Sequence, residues 1–564
     1  MVINFFKVFL IFVLILHKSL CLGQNYNDII ISEIMADPTP GIALPDVEYI
    51  ELYNRSDKPV QLKNWILVVG TRISTFPDSI ILPGMFIIVC SQASYNSMKN
   101  YGKVVGINAL SLPNEAAIIS LFSPSKKIIF SISYNLKLWV SDKNSGGYSI
   151  EMSDLKNPCI ENDNWTTSED SSGGTPGKEN SVKENKRDYS PPEIERIDVI
   201  SPTELRVIAA EKLDSVNAVS GALIEVEGRV ILNKKLELPT FRNLVLNLNS
   251  PLVSGKNYVV SLGNLADCSG NILRKIDFNI GLPIKADSGD IVLNEILFNP
   301  PANGVDFVEI YNNSGRFVSL NNWSIGNTKN GLPDIFRIIT TENVILAPYN
   351  YLALSTDVRQ TKDNYPTDKV RNFLQVDALP SFANASGSVI LRNDSNTIFD
   401  RFDYSETMHD PLISNPKGVS LEKENFLISS QIPQNWHSAA SATGNATPGY
   451  ANSQIEPKTD DPIFTVEPEA FVANNNGLDD FAKIKYQLQV TGTYATIRIY
   501  DIAGRLIKNL IRNQLIGTYG EISWDGTNEN GITVDTGYYL ILIDTFDANG
   551  QTNQFKLKVV AVKK

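Results

Sequence analysis

Histidine is nearly missing: three in 564 residues, at positions 17, 409 and 437. Zinc sites and Ser-His-Asp triads need imidazoles as ligand or base, so so few of them leave little room for either. No Gly-x-Ser-x-Gly elbow, P-loop or His-Glu-x-x-His stretch occurs. Cysteine is scarce too, at positions 21, 90, 159 and 268, too few for a disulfide framework in so long a chain. Cys90 and Cys159 fall in one segment, where they either pair or stay as buried free thiols. Runs of basic residues are absent, and 62 Asp and Glu outweigh 50 Lys and Arg for a net charge of −12. Nucleic-acid affinity rests on clustered cations, so no nucleic-acid partner is expected.

The one long apolar run is N-terminal, in "MVINFFKVFLIFVLILHKSLCLGQ". Lys7, the run Val8 to Leu16 and the small residues Cys21 and Gly23 read as a secretory signal peptide over residues 1–23. No later stretch is long and apolar enough to span a bilayer as a helix. Short runs such as "FIIVCS", "AAIISLFS", "ATIRIYDIAG" and "YYLILIDTF" are broken by Gly, Pro, Asn and Asp clusters, and no long helical period is found. The chain is expected to be all-β, a multidomain string of immunoglobulin-like β-sandwiches.

Polar linkers at Ser168–Pro192, Leu282–Asp290 and Gly444–Pro462 divide it into segments 24–182, 190–284, 289–453 and 461–564. The first and third are copies. "EYIELYNRSDKPVQLKNWIL" (Glu48 to Leu67) aligns without a gap on "DFVEIYNNSGRFVSLNNWSI" (Asp306 to Ile325). "LPNEAAIISLFSPSKKIIFSISY" aligns on "FANASGSVILRNDSNTIFDRFDY", and both copies close on a "TPG" block. A period above 150 residues means a duplicated domain, not a solenoid.

The strand ending "YIELYN" or "FVEIYN", the turn residues Asn54, Ser56, Asn312 and Ser314, and the Leu-x-x-Trp strands of Leu62–Trp65 and Leu320–Trp323 resemble the lamin-tail domain. That family implies an immunoglobulin-like interaction module. Residues 190–284, with Asp267, Gly270 and Asn271 before the last strand, look like a bacterial immunoglobulin-like domain. Residues 461–564, with "IRIYDIAGRLI", "WDGTNENG" and "GYY", resemble the hook-capping-type immunoglobulin-like domain and related C-terminal domains of the type IX export route. That resemblance implies secretion and attachment at the outer bacterial surface.

Several residues are candidates for chemistry. Glu33, Glu48 and Glu51 recur as Glu295, Asp306 and Glu309. They are read as structural carboxylates, held by hydrogen bonds or solvated at an edge, against a metal or glycosidase reading that lacks a supporting base. Tyr49 and Glu51 share a strand face, and Glu48 takes the other. Asp37 and Asp46 flank the loop "PTPGIALP" and offer oxygens for calcium or a ligand. "NNNGLDD" places Asn474, Asn476, Asp479 and Asp480 as calcium-type ligands without an EF-hand Glu; plain turn formation competes. Trp65 and Trp323 read as core, whereas Trp165 and Trp436, in loop-like "DNW" and "QNW", read as candidates for stacking on a sugar. No cofactor other than calcium is expected. The reading is a secreted, non-catalytic bacterial surface protein that binds an extracellular polysaccharide or a surface protein. The rivals are an extracellular hydrolase and a passive spacer.

Overall fold

The computed structural model describes residues 25–140, 142–369, 371–456, 463–473 and 480–563. The signal segment and Asn474, Asn476 and Asp479 lie outside the described residues. The chain forms two compact units. One runs to Ile197 and resumes over Thr203–Ser250 and Val259–Phe278; the other comprises Asp198–Pro202, Pro251–Tyr258 and the chain from Asn279 onward. Among the described residues no helix is long and apolar enough to cross a membrane.

In the first unit, β1 (Ile29–Met35), β2 (Tyr49–Asn54), β3 (Phe86–Ser91), β4 (Val104–Ile107), β5 (Ile150–Met152) and β6 (Trp165–Thr167) build a six-stranded sheet. Its order is β6-β5-β1-β2-β3-β4, with only β3 and β4 parallel. A four-stranded sheet of Ile128–Asn135, Ala116–Phe122, Ile66–Val69 and Arg72–Thr75 completes the sandwich. The core between them holds Ile34, Leu52, Trp65, Leu67, Ile119 and Leu121. Burying one such large apolar side chain contributes roughly 1.5–3 kcal/mol.

β1 carries the sequence IIISEIM and is buried at every position. A strand covered on one face only would alternate. The second cover is the chain's own "TPG" segment, which lies across the outer face. The pairing of β1 with β2 shifts register between Ile31 and Glu33. A bulge at that point re-aims side chains, and here Ser32 is the residue left out of the register.

The second unit repeats the plan with β7 (Ile291–Leu297), β8 (Phe307–Asn312), β9 (Tyr351–Ser355), β10 (Phe373–Gln375), β11 (Leu421–Lys423) and β12 (Trp436–Ser438). The order is β10-β9-β8-β7-β11-β12, with β9 and β10 parallel and the register shift again between Leu293 and Glu295. The resemblance residues form one turn twice. Asn54 Nδ2 donates to Lys58 O and Ile81 O while its Oδ1 accepts from Ser56; Asn312 does the same with Arg316 O, Leu346 O and Ser314.

The remainder of the first unit belongs to the part of the chain that forms a four-stranded and a three-stranded sheet between Ile194 and Ile280. Cys159 is bonded to Cys268, and Cys90 is a free buried thiol. Neither the pairing of Cys90 with Cys159 nor a full set of free thiols survives: the partner of Cys159 comes from 109 positions further on, outside its own sandwich. From Ile463 the chain forms a three-stranded and a five-stranded sheet around Phe471, Ile484, Ile499, Trp524 and Ile541. In "WDGTNENG", Asp525 Oδ1 accepts from the Thr527 amide and hydroxyl, and Trp524 Nε1 donates to Thr527 O, so the motif is a self-bonded turn.

Candidate functional site

The acids shared by the copies converge under the "TPG" segment. Glu33 lies on β1, Glu51 on β2 and Glu151 on β5, adjacent strands in register. All three are fully buried. Glu33 Oε1 accepts from Tyr49 Oη at 2.7 Å, Ser149 Oγ at 2.6 Å and Thr175 N at 2.8 Å. Glu51 accepts from Ser32 Oγ at 2.9 Å and Gly177 N at 2.5 Å. Glu151 accepts from Thr175 Oγ1 and from the amide and hydroxyl of Ser181. Glu295, Glu309 and Glu422 repeat this against Thr447, Gly449, Ser453 and Gln454. The carboxylates are clasps, holding a strap over the sheet.

The strap explains two glycines. Gly177 has φ +82°, and a Cβ there would stand 2.2 Å from Tyr101 O. Gly174 is different: a Cβ would stand 2.6 Å from both Glu33 Oε1 and Tyr49 Oη. The second copy has Ala446 at that position and Phe307 in place of Tyr49, so the missing hydroxyl makes room for the methyl. Gly174→Ala is therefore expected to destabilise the first copy by about 1–3 kcal/mol, an overpacking cost. Adding Tyr49→Phe should recover part of it, since it removes one of the two closest contacts at the cost of a donor to Glu33, read as a double-mutant cycle in urea unfolding.

Burial, and next the Glu151 charge, push Glu33 up to about 7; burial and next Glu422 push Glu295 up to about 8. Burial likewise drives Glu51 and Glu309 well upward. Glu33 Oε2 has no hydrogen-bond partner, and it is the oxygen a proton can take without displacing a donor. Since the folded values lie above the unfolded ones, the native state binds more protons and stability falls as pH rises. Between pH 5 and 9 the melting temperature is expected to rise on acidification. The contribution of Glu33 should be lost from the ordinary carboxyl range up to about pH 7 and that of Glu295 up to about pH 8, which calorimetry at stepped pH would show; a flat or opposite trend would refute it.

Other candidates fall elsewhere. Glu48 is half-buried on the opposite face and accepts from Leu112 N at 3.1 Å. Asp37 Oδ1 accepts from its neighbour Thr39 N at 3.4 Å, and Asp46 is exposed beside Gly41. Their loop is docked through backbone, Gly147 N to Asp37 O and Ala43 N to Ser172 O. Trp165 and Trp436 are corrected from loops to strands: each opens a short strand and is 5% and 2% exposed. Trp436 stacks on Phe402 with centroids 3.8 Å apart, and its Nε1 donates to Ser430 O, so no ring face is left for a sugar. The preceding Asn164 and Asn435 each bracket a turn by side-chain bonds, which is why "NW" recurs. Asp480 is buried. His409 is buried against Phe298 and bonds Ser438 Oγ, and His437 bonds Glu424; the two serve different carboxylate and hydroxyl partners and form no triad.

Among the described residues, the only group of three acids within metal-holding distance is Asp188, Glu211 and Asp267, mutually within 4.8 Å. Sequence reasoning missed it because the three come from separate stretches. Both oxygens of Asp267 already accept from Asn271, shaping the turn before the next strand.

The Lamin Tail Domain family model matches this chain twice. The matches span residues 23–136 and 285–406. Glu33 and Glu51 lie inside the first, while Glu151, Thr175 and Gly177 lie beyond it. No curated protein matches the chain. Among solved structures, the N-terminal part of the bacterial S-layer protein SbsC is 16% identical, covering 29% of this chain and 41% of its own, with TM-score 0.16. Latent PorU from Porphyromonas gingivalis is 11% identical over 71% and 35%, TM-score 0.15. A calcium-stabilised adhesin of an Antarctic bacterium, described as binding ice, is 8% identical over 96% and 100%, TM-score 0.12. The chain spans less than half the length of the first two, and at such scores none bears on what the two copies do.

Proposed function

We propose that this is a non-catalytic, secreted, modular protein of a bacterial cell surface, whose lamin-tail segments bind an extracellular polysaccharide or a surface protein. The observation that carries it is the burial of the repeated carboxylates. Glu33, Glu51, Glu151, Glu295, Glu309 and Glu422 are each 0% exposed and bonded to their own strap. A glycosidase needs two carboxyls about 5–10 Å apart with substrate and water between them. Here that place is taken by Thr175 and Gly177, or Thr447 and Gly449. The N-terminal apolar run and the Cys159–Cys268 bond support an oxidising compartment. Residues 461–564 are assigned export and anchoring on their resemblance, and the sequence NNNGLDD over residues 474–480 is the place to look for calcium. Rigid sandwiches with short exposed loops suit recognition.

The test compares surface adhesion of cells displaying the full chain with cells displaying one that lacks residues 28–182 and carries Cys268→Ser. Display is checked by an antibody to the C-terminal segment. Loss of adhesion at equal display is expected; retained adhesion would make the first copy a spacer.

A further inference from the structure

The strap of the second copy does more than close its own sheet. On one side Ser453 Oγ and the Gln454 amide donate to Glu422 Oε2, at 2.7 and 2.9 Å. On the other side the same two residues meet the C-terminal segment, which lies in the same compact unit. Ser453 O accepts from Thr518 N at 2.8 Å. The Gln454 side chain uses both of its ends there, Nε2 donating to Ile516 O at 3.2 Å and Oε1 accepting from Gly492 N at 3.1 Å. Gln454 is 0% exposed, and a buried amide bonded at both ends leaves no polar group unpaired. Away from the strap, Tyr494 Oη donates to the carboxylate of Asp410 at 2.8 Å.

The two copies differ at the residues that make these contacts. Val182 stands where the second copy has Gln454, and Val140 where it has Asp410. The second match is structural as well: Val140 N donates to Thr167 Oγ1 as Asp410 N does to Ser438 Oγ. Val140 is exposed and Val182 half-buried. The first copy thus keeps the strap without the polar groups that reach the C-terminal segment.

We propose that this face of the second copy is a docking site for the chain's own C-terminal segment, residues 463–563, which stays bound when the connecting residues 457–462 are cut. Both faces are set from within their own parts. Glu422 fixes Ser453 and Gln454, and the Tyr494 ring stacks on Phe546 in its own sheet, centroids 5.2 Å apart. Little freedom is then lost on docking. Gly517 shows how closely the backbones approach, since a Cβ there would stand 2.7 Å from Ser453 O. This goes beyond the anchoring assigned to residues 461–564: an anchor seated in this way passes its hold to the second sandwich through the strap, and the connecting peptide does not have to carry it.

The test starts from the folded full chain with a specific protease sequence, flanked by Gly and Ser, inserted among residues 457–462. While joined, the parts meet at an effective concentration on the order of mM; after cutting at roughly 1 μM protein, only the docking keeps them together. A denaturing gel checks that cutting is complete. The C-terminal fragment is expected to co-elute with the remainder in gel filtration; separate elution overturns the proposal. Gly517→Ala wedges the two backbones apart, and Gln454→Ala removes both amide bonds. Each should weaken the cut complex at least tenfold, read from the fragment released on dilution. Release no greater than in the parent overturns the assigned face, and Gln454→Ala decides it if Gly517→Ala fails to fold. Co-elution in a protein whose C-terminal segment fails to hold it at the cell surface removes the anchoring reading and still supports the docking.

Discussion

Asp400→Ala is expected to cost the second copy about 3–5 kcal/mol, the loss seen when one partner of a buried pair is removed. Lys423 is fully buried, with 2% of its side chain exposed. Its Nζ bonds Ser430 Oγ at 2.7 Å and lies 3.8 Å from Asp400 Oδ2. Without Asp400, an ammonium that burial already disfavours, as its lowered pKa shows, keeps one neutral acceptor. The reverse deletion is milder. After Lys423→Met, Asp400 still accepts from Leu293 N at 2.9 Å and Ser430 Oγ at 2.7 Å, so the expected loss is about 1–3 kcal/mol. The first copy shows the apolar solution at the same positions, buried Phe130 and Met152. Urea unfolding of both variants checks the order; equal losses would mean the pair acts only as a unit.

Glu309→Gln is expected to cost about 1–3 kcal/mol, while Glu51→Gln, the same change in the first copy, should be near neutral. The carboxylates look equivalent in sequence, and their donors are not. Glu51 accepts from Ser32, whose hydroxyl can turn round and accept from a glutamine amide. Glu309 accepts from Asn294 Nδ2 at 2.6 Å and from Gly449 N. Asn294 cannot flip: Asn452 Nδ2 donates to Lys423 O and Asn294 O, which turns Asn452 Oδ1 toward the Asn294 amide. A glutamine at 309 therefore sets an N–H against a fixed N–H. Melting temperatures of the two variants at pH 8 separate the cases. Glu51→Gln should also flatten the first copy's pH response, because one of its raised carboxyls is gone.

How much of this was legible can be followed through single residues. The period-two runs and turn clusters announced an all-β chain, and "TPG" at matched positions announced a second copy of whatever the first one is. Core assignment of Trp65 and Trp323 followed from their strands, and both are buried in their cores. Trp165 and Trp436 were misread because an Asn-Trp pair after polar residues looks like a loop; the Asn brackets the turn and hands the ring directly to a strand.

By itself, the sequence determined what depends on neighbours along the chain: strand periodicity, turn chemistry at Asn54 and Asn312, and the copying of one sandwich. Only the tertiary structure decided what depends on residues brought together from afar. It set Glu151 and Thr175 beside Glu33, more than a hundred positions away, and paired Cys159 with Cys268. The physical reason is that a buried carboxylate is defined by its donors, and strand alternation states which face a side chain takes without saying what will cover that face.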